Sequence, residues 1–185
     1  MDMFALYNYW VVIFLMMTGF YVVIASGNLV KKIIGLNLFQ ASVFILYISM
    51  GKVTEEFEQQ MAEALDVPYV VATTNGSIAI LMALMSLGIK AGDEVIIPNR
   101  TWIATAHAPM MLGAKLVMID VLPDRPVMDT SLIREKINSR TRAIIPVSLC
   151  GCAVNMEEVW QVANDHGIFV VEDAAQGLFS KYKGE

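Results

Sequence analysis

A chain of 185 residues with 56% hydrophobic and 17% charged side chains, a net charge of −5 and a mean hydropathy of +0.56 is too apolar for a disordered chain or an ordinary single soluble domain. The charge is divided: residues 1–53 hold only Asp2, Lys31, Lys32 and Lys52 and sum to +2, whereas residues 54–185 hold 10 basic and 17 acidic side chains and sum to −7. This division excludes one small fold around one core, and the larger acidic part carries no basic patch of the kind a nucleic-acid binder needs.

Residues 4–25 (FALYNYWVVIFLMMTGFYVVIA) are uncharged and apolar apart from Asn8 and Thr18. As a helix they extend roughly 33 Å, enough for a hydrocarbon core of about 30 Å. A second uncharged run, residues 33–51, follows the short link SGNLVKK. The pair predicts a two-helix transmembrane hairpin and a membrane location, with Lys31 and Lys32 on the cytoplasmic side. Tyr7, Tyr9, Trp10 and Tyr47 are then interfacial anchors, and Asn37 and Gln40 are polar groups for helix packing or function. A secretory signal peptide is the competing reading of the first run. Asp2 in place of a basic residue, the weak Ala25-Ser26-Gly27 cleavage pattern and the second run all argue against it.

After Val53 the pattern changes. Phe57, Met61 and Leu65 recur at helical spacing, with Thr54 as the expected N-cap and Glu55, Glu56 and Glu58 as a solvated face in the first turn. Strands are then expected at 69–72, 94–98, 115–121, 143–147 and 169–172. Helices are expected between them at 77–87, 103–112, 131–137 and 156–166, the last with Asn155 and Glu158 in capping-box positions. Short, continuously apolar strands alternating with helices predict an α/β fold: a mostly parallel sheet with helices on both faces. Ligands of such sheets bind beyond the carboxyl ends of the strands.

Three segments lie at those ends. TTNGSIAIL (73–81) opens a helix with Gly76 and Ser77, a cradle for a phosphate or an ordinary capped turn. PNRTWIATAHA (98–108) sets Trp102 just past a strand, for stacking on a flat ring or for core packing. VVEDAAQG (170–177) ends a strand with Glu172, Asp173 and Gln176; a carboxylate there pairs with a protonated ring nitrogen or caps a helix. Cys150 and Cys152 make a C-x-C with no matching His cluster, so buried or half-buried thiols are expected and no metal site. His107 and His166 are isolated residues in helical segments.

In this order, and with the connecting phrases GIKAGDEVIIP, GAKLVMIDVLPD, TRAIIPVSLCG and EDAAQG, residues 54–185 resemble the N-terminal part of the DegT/DnrJ/StrS group of pyridoxal-phosphate sugar aminotransferases. The resemblance implies an incomplete fold type I large domain. It also implies pyridoxal 5′-phosphate as cofactor, held by Gly76 and Ser77 at the phosphate, Trp102 on the ring face, Asp173 at the ring nitrogen and Gln176 at the ring hydroxyl. Implied partners are a keto-sugar nucleotide, an amino donor, usually glutamate, and a second copy in a homodimer; such enzymes are cytoplasmic. Ser77 in place of Thr, Asn99-Arg100 before the Thr-aromatic pair, and Ser148-Leu149-Cys150-Gly151 where a His often begins the turn depart from the family pattern. The family's Schiff-base lysine lies downstream of Gln176 on a segment beyond Glu185, and Lys181 and Lys183 precede that segment, so this stretch is expected to be inactive as it stands.

The run NYWVVIFLMMTGFYVVIASGNLVKKIIGLNLFQASVFILYISMGKV resembles the first two helices of the small C-type membrane component of multisubunit Mrp-type cation:proton antiporters, a relative of the K-type component of NADH-quinone oxidoreductase. The alternative function is thus a truncated antiporter component joined to foreign sequence, with the join expected near residues 51–56.

Overall fold

The computed structural model describes residues 3–25, 27, 29–181 and 183, with side chains described from Trp10 onward except at 29, 30, 35, 44–50 and 52. The chain divides into two compact units, Met1–Ala72 and Thr73–Glu185.

The first unit is a pair of helices, α1 (Met3–Ala25) and α2 (Leu29–Leu65), packed along each other. Val12 and Ser42 are buried, and the rings of Phe20 and Phe39 meet at 6.1 Å between centroids. Thr18 and Ser42 satisfy their hydroxyls on the carbonyls of Phe14 and Leu38, one turn back in their own helices. Asn37 and Gln40, expected at a packing face, are exposed. The expected anchors Tyr7, Tyr9 and Tyr47 lie outside the described side chains.

The membrane location expected from the two uncharged runs is corrected: among the described residues no helix is long and apolar enough to cross a membrane. The second expected span does not end at Gly51. A single glycine costs a helix only about 1 kcal/mol, too little to stop it, and no proline follows until Pro68. The helix therefore runs on through Glu55, Glu56, Glu58 and Glu63, in addition to Lys31 and Lys32 near its start. For the same reason Thr54 is not an N-cap, and the acidic run sits within a helix instead of at its positive end.

The second unit begins with α3 (Gly76–Ser86), then β1 (Glu94–Pro98), α4 (Ile103–Met111) and β2 (Lys115–Ile119). A 3-10 turn (Thr130–Leu132) leads into the short α5 (Ile133–Lys136) and β3 (Thr141–Ile144); a second 3-10 turn (Leu149–Gly151), α6 (Met156–His166) and β4 (Phe169–Val170) complete it. The four strands are parallel, in the order β2-β1-β3-β4. Alternation along the strands separates two cores. Val95, Ile97, Ala143 and Ile145 meet Ile80 and Leu84 of α3 and Ala108 of α4 on one face. Ile96 and Ile144 meet Ile133 of α5 and Val159, Val162 and Ala163 of α6 on the other. Successive strand residues point to opposite faces, so a continuously apolar strand requires helices on both.

One expected strand is not formed. Residues 69–72 form no regular element and pair with no strand among the described residues, leaving Tyr69 87% exposed. Ala72 donates its N–H to the Glu58 carboxylate at 2.6 Å instead. β-branched composition favours extended backbone, but a strand needs a neighbour to bond to.

Candidate active site

Strand order places the site. β1 is followed by β2 on one side and, after the chain crosses over, by β3 on the other, so the connections leave the carboxyl ends of β1 and β3 in opposite directions, the topological position at which ligands of such sheets bind. The three segments singled out from sequence all belong to the second unit, and two of them follow strands bordering this region: residues 99–102 follow β1, and Asp173 lies beyond β4, bridged to Val147 past the end of β3.

Asp173 is the buried centre, only 8% exposed. Its backbone is pinned on both sides, its N–H donating to Pro146 C=O at 2.9 Å and its C=O accepting from Ser148 N–H at 3.2 Å. Its side chain is bound by neutral donors: the Thr105 hydroxyl to Oδ2 at 2.6 Å and the Ala175 N–H to Oδ1 at 3.3 Å. No described Lys, Arg or His forms an ion pair with it. A carboxylate so withdrawn from water is normally paired, so this arrangement accommodates a cation. Asp173 does not cap a helix, since residues 175–179 that follow form turns and no helix.

Trp102 immediately precedes α4 and is 72% exposed. It is thus not core packing, and its face is available to a ligand. Its carbonyl accepts the Thr105 N–H at 3.2 Å, so the backbone of Trp102 and the side chain of Asp173 are joined through one residue, Thr105.

Gly76 and Ser77 form the first turn of α3 and are exposed. Asn75 caps the helix, its Oδ1 accepting the Ile78 N–H at 3.0 Å, and the first backbone bond of the helix runs from Ala79 N–H to Asn75 C=O. The N–H groups of Gly76 and Ser77 thus precede the intrahelical ladder, at its positive end. A Cβ built at Gly76 meets nothing within 4 Å, so the space beside it is open to an anion. α3 packs beside α4, while no bond joins Gly76 or Ser77 to Asp173.

Gln176 is exposed and oriented from outside its own segment: its Oε1 accepts the Cys150 N–H at 2.9 Å. Cys150 and Gly151 take left-handed backbone, with φ of 56° and 76°, and this turn carries the N–H toward Gln176. With its oxygen occupied, the amide presents its NH₂ as a donor. Glu172 is exposed and accepts the Ser148 hydroxyl at 2.9 Å. Cys150, expected as a buried or half-buried thiol, is exposed; Cys152 is half-buried, and both are free.

Thr105 and Ser148 were not among the expected site residues. Thr105 carries the clearer signal: a threonine inside an otherwise apolar helix start, three residues after Trp102, is a buried hydroxyl needing a partner.

Residues 40–185 match the model of the DegT/DnrJ/EryC1/StrS aminotransferase family. The chain is 39% identical over 136 residues to the UDP-2-acetamido-2-deoxy-3-oxo-D-glucuronate aminotransferase of Pseudomonas aeruginosa, covering 74% of this chain and 38% of that protein. It is likewise 39% identical over 137 residues to the GDP-perosamine synthase of Escherichia coli O157:H7, again covering 74% and 38%. Among solved structures, DesV of S. venezuelae superposes with a TM-score of 0.70 at 38% identity, over 71% of this chain and 36% of that one. NtdA of Bacillus subtilis, with bound cofactor PMP, gives 0.67 at 37% identity, over 68% and 29%. The chain thus spans little more than a third of the length of the curated relatives it matches. The family match begins at residue 40, inside the run that resembled an antiporter component, and nothing in these similarities supports the antiporter alternative.

Proposed function

Because the chain belongs to the DegT/DnrJ/EryC1/StrS aminotransferase family, we propose that it carries the cofactor-binding half of a site that transfers an amino group to a keto-sugar nucleotide, with glutamate as the usual donor. Pyridoxal phosphate is the cofactor of this family, and solved relatives carry it or its pyridoxamine form. When bound, its protonated pyridine ring supplies an electron sink for amino transfer.

The residues of this chain take separate parts in holding that ring. Asp173 holds a proton on the ring nitrogen by offering a buried carboxylate with no cation of its own. Trp102 covers one ring face and excludes water from it. Gly76 and Ser77 donate N–H groups, and Ser77 its hydroxyl, to the phosphate. Gln176, its oxygen already held by Cys150, donates its NH₂ to the ring hydroxyl. Lys181 and Lys183 are not assigned the Schiff-base role; Lys183 bonds Glu157 at 2.7 Å. The sugar-nucleotide substrate is supported by the named activities of the two curated relatives, and assembly as a homodimer belongs to the same proposal.

For domain organisation, residues 54–185 are taken as part of the family's large domain, and residues 1–53 as a helical segment before it, although the family match already begins at residue 40. The change from +2 to −7 supports this division, and the continuous α2 bridges it.

The single observation carrying the proposal is Asp173: buried, beyond the carboxyl ends of the strands, and bound only by neutral donors. The full chain is expected to bind pyridoxamine 5′-phosphate and to give the absorbance band of bound cofactor. Asp173→Ala is expected to abolish that binding while the protein stays folded by circular dichroism. A folded wild-type chain that binds neither cofactor form overturns the proposal.

A further inference from the structure

Thr105 is fully buried at 0% exposure, and its single hydroxyl proton is committed to Asp173 Oδ2 at 2.6 Å. Its oxygen also lies 2.8 Å from the Thr101 hydroxyl. A hydroxyl has one proton to give, so with Thr105 donating to the carboxylate, Thr101 must be the donor in the second contact. The two threonines therefore form a one-way chain, Thr101 to Thr105 to Asp173, whose direction suits an ionised carboxylate. Each donor polarises the next, and hydrogen bonds to an ion are stronger than those between neutral groups. Thr105 is also fixed by its backbone bond to the carbonyl of Trp102, so the hydroxyl is aimed by the same turn that presents the Trp102 ring.

We propose that Thr105, oriented by Thr101, is a positioning residue that holds the Asp173 carboxylate in place for a cationic ring nitrogen, coupling the aromatic segment after β1 to the acidic segment after β4. The inference rests on the reading of Asp173 given above. It goes beyond that reading in assigning the carboxylate's orientation to a residue that itself touches no ligand. Packing alone would not require a hydroxyl: a valine has nearly the shape of threonine, and a structural role would be felt equally whatever ring is bound.

The test uses the full chain and two probes, pyridoxamine 5′-phosphate and its analogue with C–H in place of the ring nitrogen, with affinities measured by calorimetry. The wild type is expected to bind the natural ring more tightly than the analogue. Thr105→Val is expected to reduce affinity for the natural ring about tenfold, the scale of one hydrogen bond to a charged group, and to leave the analogue nearly unchanged. Thr105→Ser restores the donor and is expected to restore the preference. Thr101→Val, which keeps Thr105 itself, is expected to reduce the preference about two- to threefold, because it removes only the polarising donor. It also serves where Thr105→Val fails to fold. An unchanged preference in the threonine variants, with a discriminating wild type, overturns the inference alone. A wild type that binds both rings equally overturns the pairing with Asp173 and the inference with it.

Discussion

Gly177 lies against Ser148: a Cβ built at Gly177 would collide with the Ser148 side chain and stand 3.2 Å from its carbonyl oxygen. The segment after β4 and the segment after β3 therefore approach each other more closely than any larger residue allows. The same approach lets Ser148 N–H reach Asp173 C=O and Gln176 reach Cys150. Gly177→Ala is expected to destabilise the second unit by about 1–3 kcal/mol, the usual scale of overpacking, and to weaken cofactor binding by displacing Asp173. Chemical denaturation together with pyridoxamine 5′-phosphate titration measures both; an alanine variant unchanged in both would show that the close approach has no consequence.

Gln176 separates acceptance from donation. Gln176→Glu keeps an oxygen for the Cys150 N–H but has no NH₂ to give. It is expected to retain stability to within about 0.5 kcal/mol, as exposed substitutions usually do, and to lose about tenfold in cofactor affinity. Gln176→Ala loses both contacts. Equal cofactor affinity in the wild type and the Glu variant would rule out donation to the ring hydroxyl.

Ligand binding is expected to be visible in fluorescence. The sequence contains three tryptophans, Trp10, Trp102 and Trp160, and Trp102 has the ring most open to solvent among them. Cofactor stacked on it should quench its emission, and Trp102→Phe should remove most of that quenching while keeping an aromatic face and much of the affinity. Undiminished quenching in the Phe variant would place the ring beside another tryptophan.

At the amino end of β1, Glu94 is buried and bonded to Asn138 at 2.7 Å and to Arg140 at 2.8 Å. The Asn138 amide above all, then the positive charge and hydrogen bond of Arg140 and the more distant charge of Lys115, hold its carboxyl below the ordinary value of 4.5; burial opposes them. A carboxyl whose folded value is depressed contributes stability that is fully present above the unfolded value and is lost as the pH falls through the folded one. The wild type should therefore lose stability progressively below about pH 4.5, and Glu94→Gln should show a shallower decline over that range while being less stable at neutral pH. Parallel declines in urea-denaturation series of the two proteins would contradict this assignment.

Helix α3 offers a stability test that also reports on the phosphate cradle. Asn75→Ala removes the acceptor for the Ile78 N–H and is expected to cost about 1 kcal/mol. Asn75→Asp keeps the cap but brings a negative charge beside Gly76 and Ser77, so it should preserve stability and repel the phosphate. A cofactor titration that does not separate Asn75→Asp from the wild type would move the phosphate elsewhere.

The sequence by itself determined what depends on neighbours along the chain. β1 at 94–98 and α6 at 156–166 form where the apolar run and the capping residues Asn155 and Glu158 place them, because those signals are local. The segments carrying Gly76, Ser77, Trp102, Asp173 and Gln176 were singled out by the order of their motifs, and the roles of those residues remain part of the proposal; the parallel, doubly covered sheet was legible in its continuously apolar strands. Tertiary structure decided the rest. Residues 69–72 have strand composition but no strand, since a ladder needs a partner that composition cannot supply. The two apolar runs at the start suggested membrane spans, yet the second continues as one helix into Glu55, Glu56 and Glu58, because helix propagation ignores a boundary that only hydropathy marks. Finally, the hydroxyl of Thr105 meets the carboxylate of Asp173 across 68 positions of sequence. Such a contact exists only once the connections from β1 and β4 have brought both to the same end of the sheet, where it fixes the orientation of a buried acid.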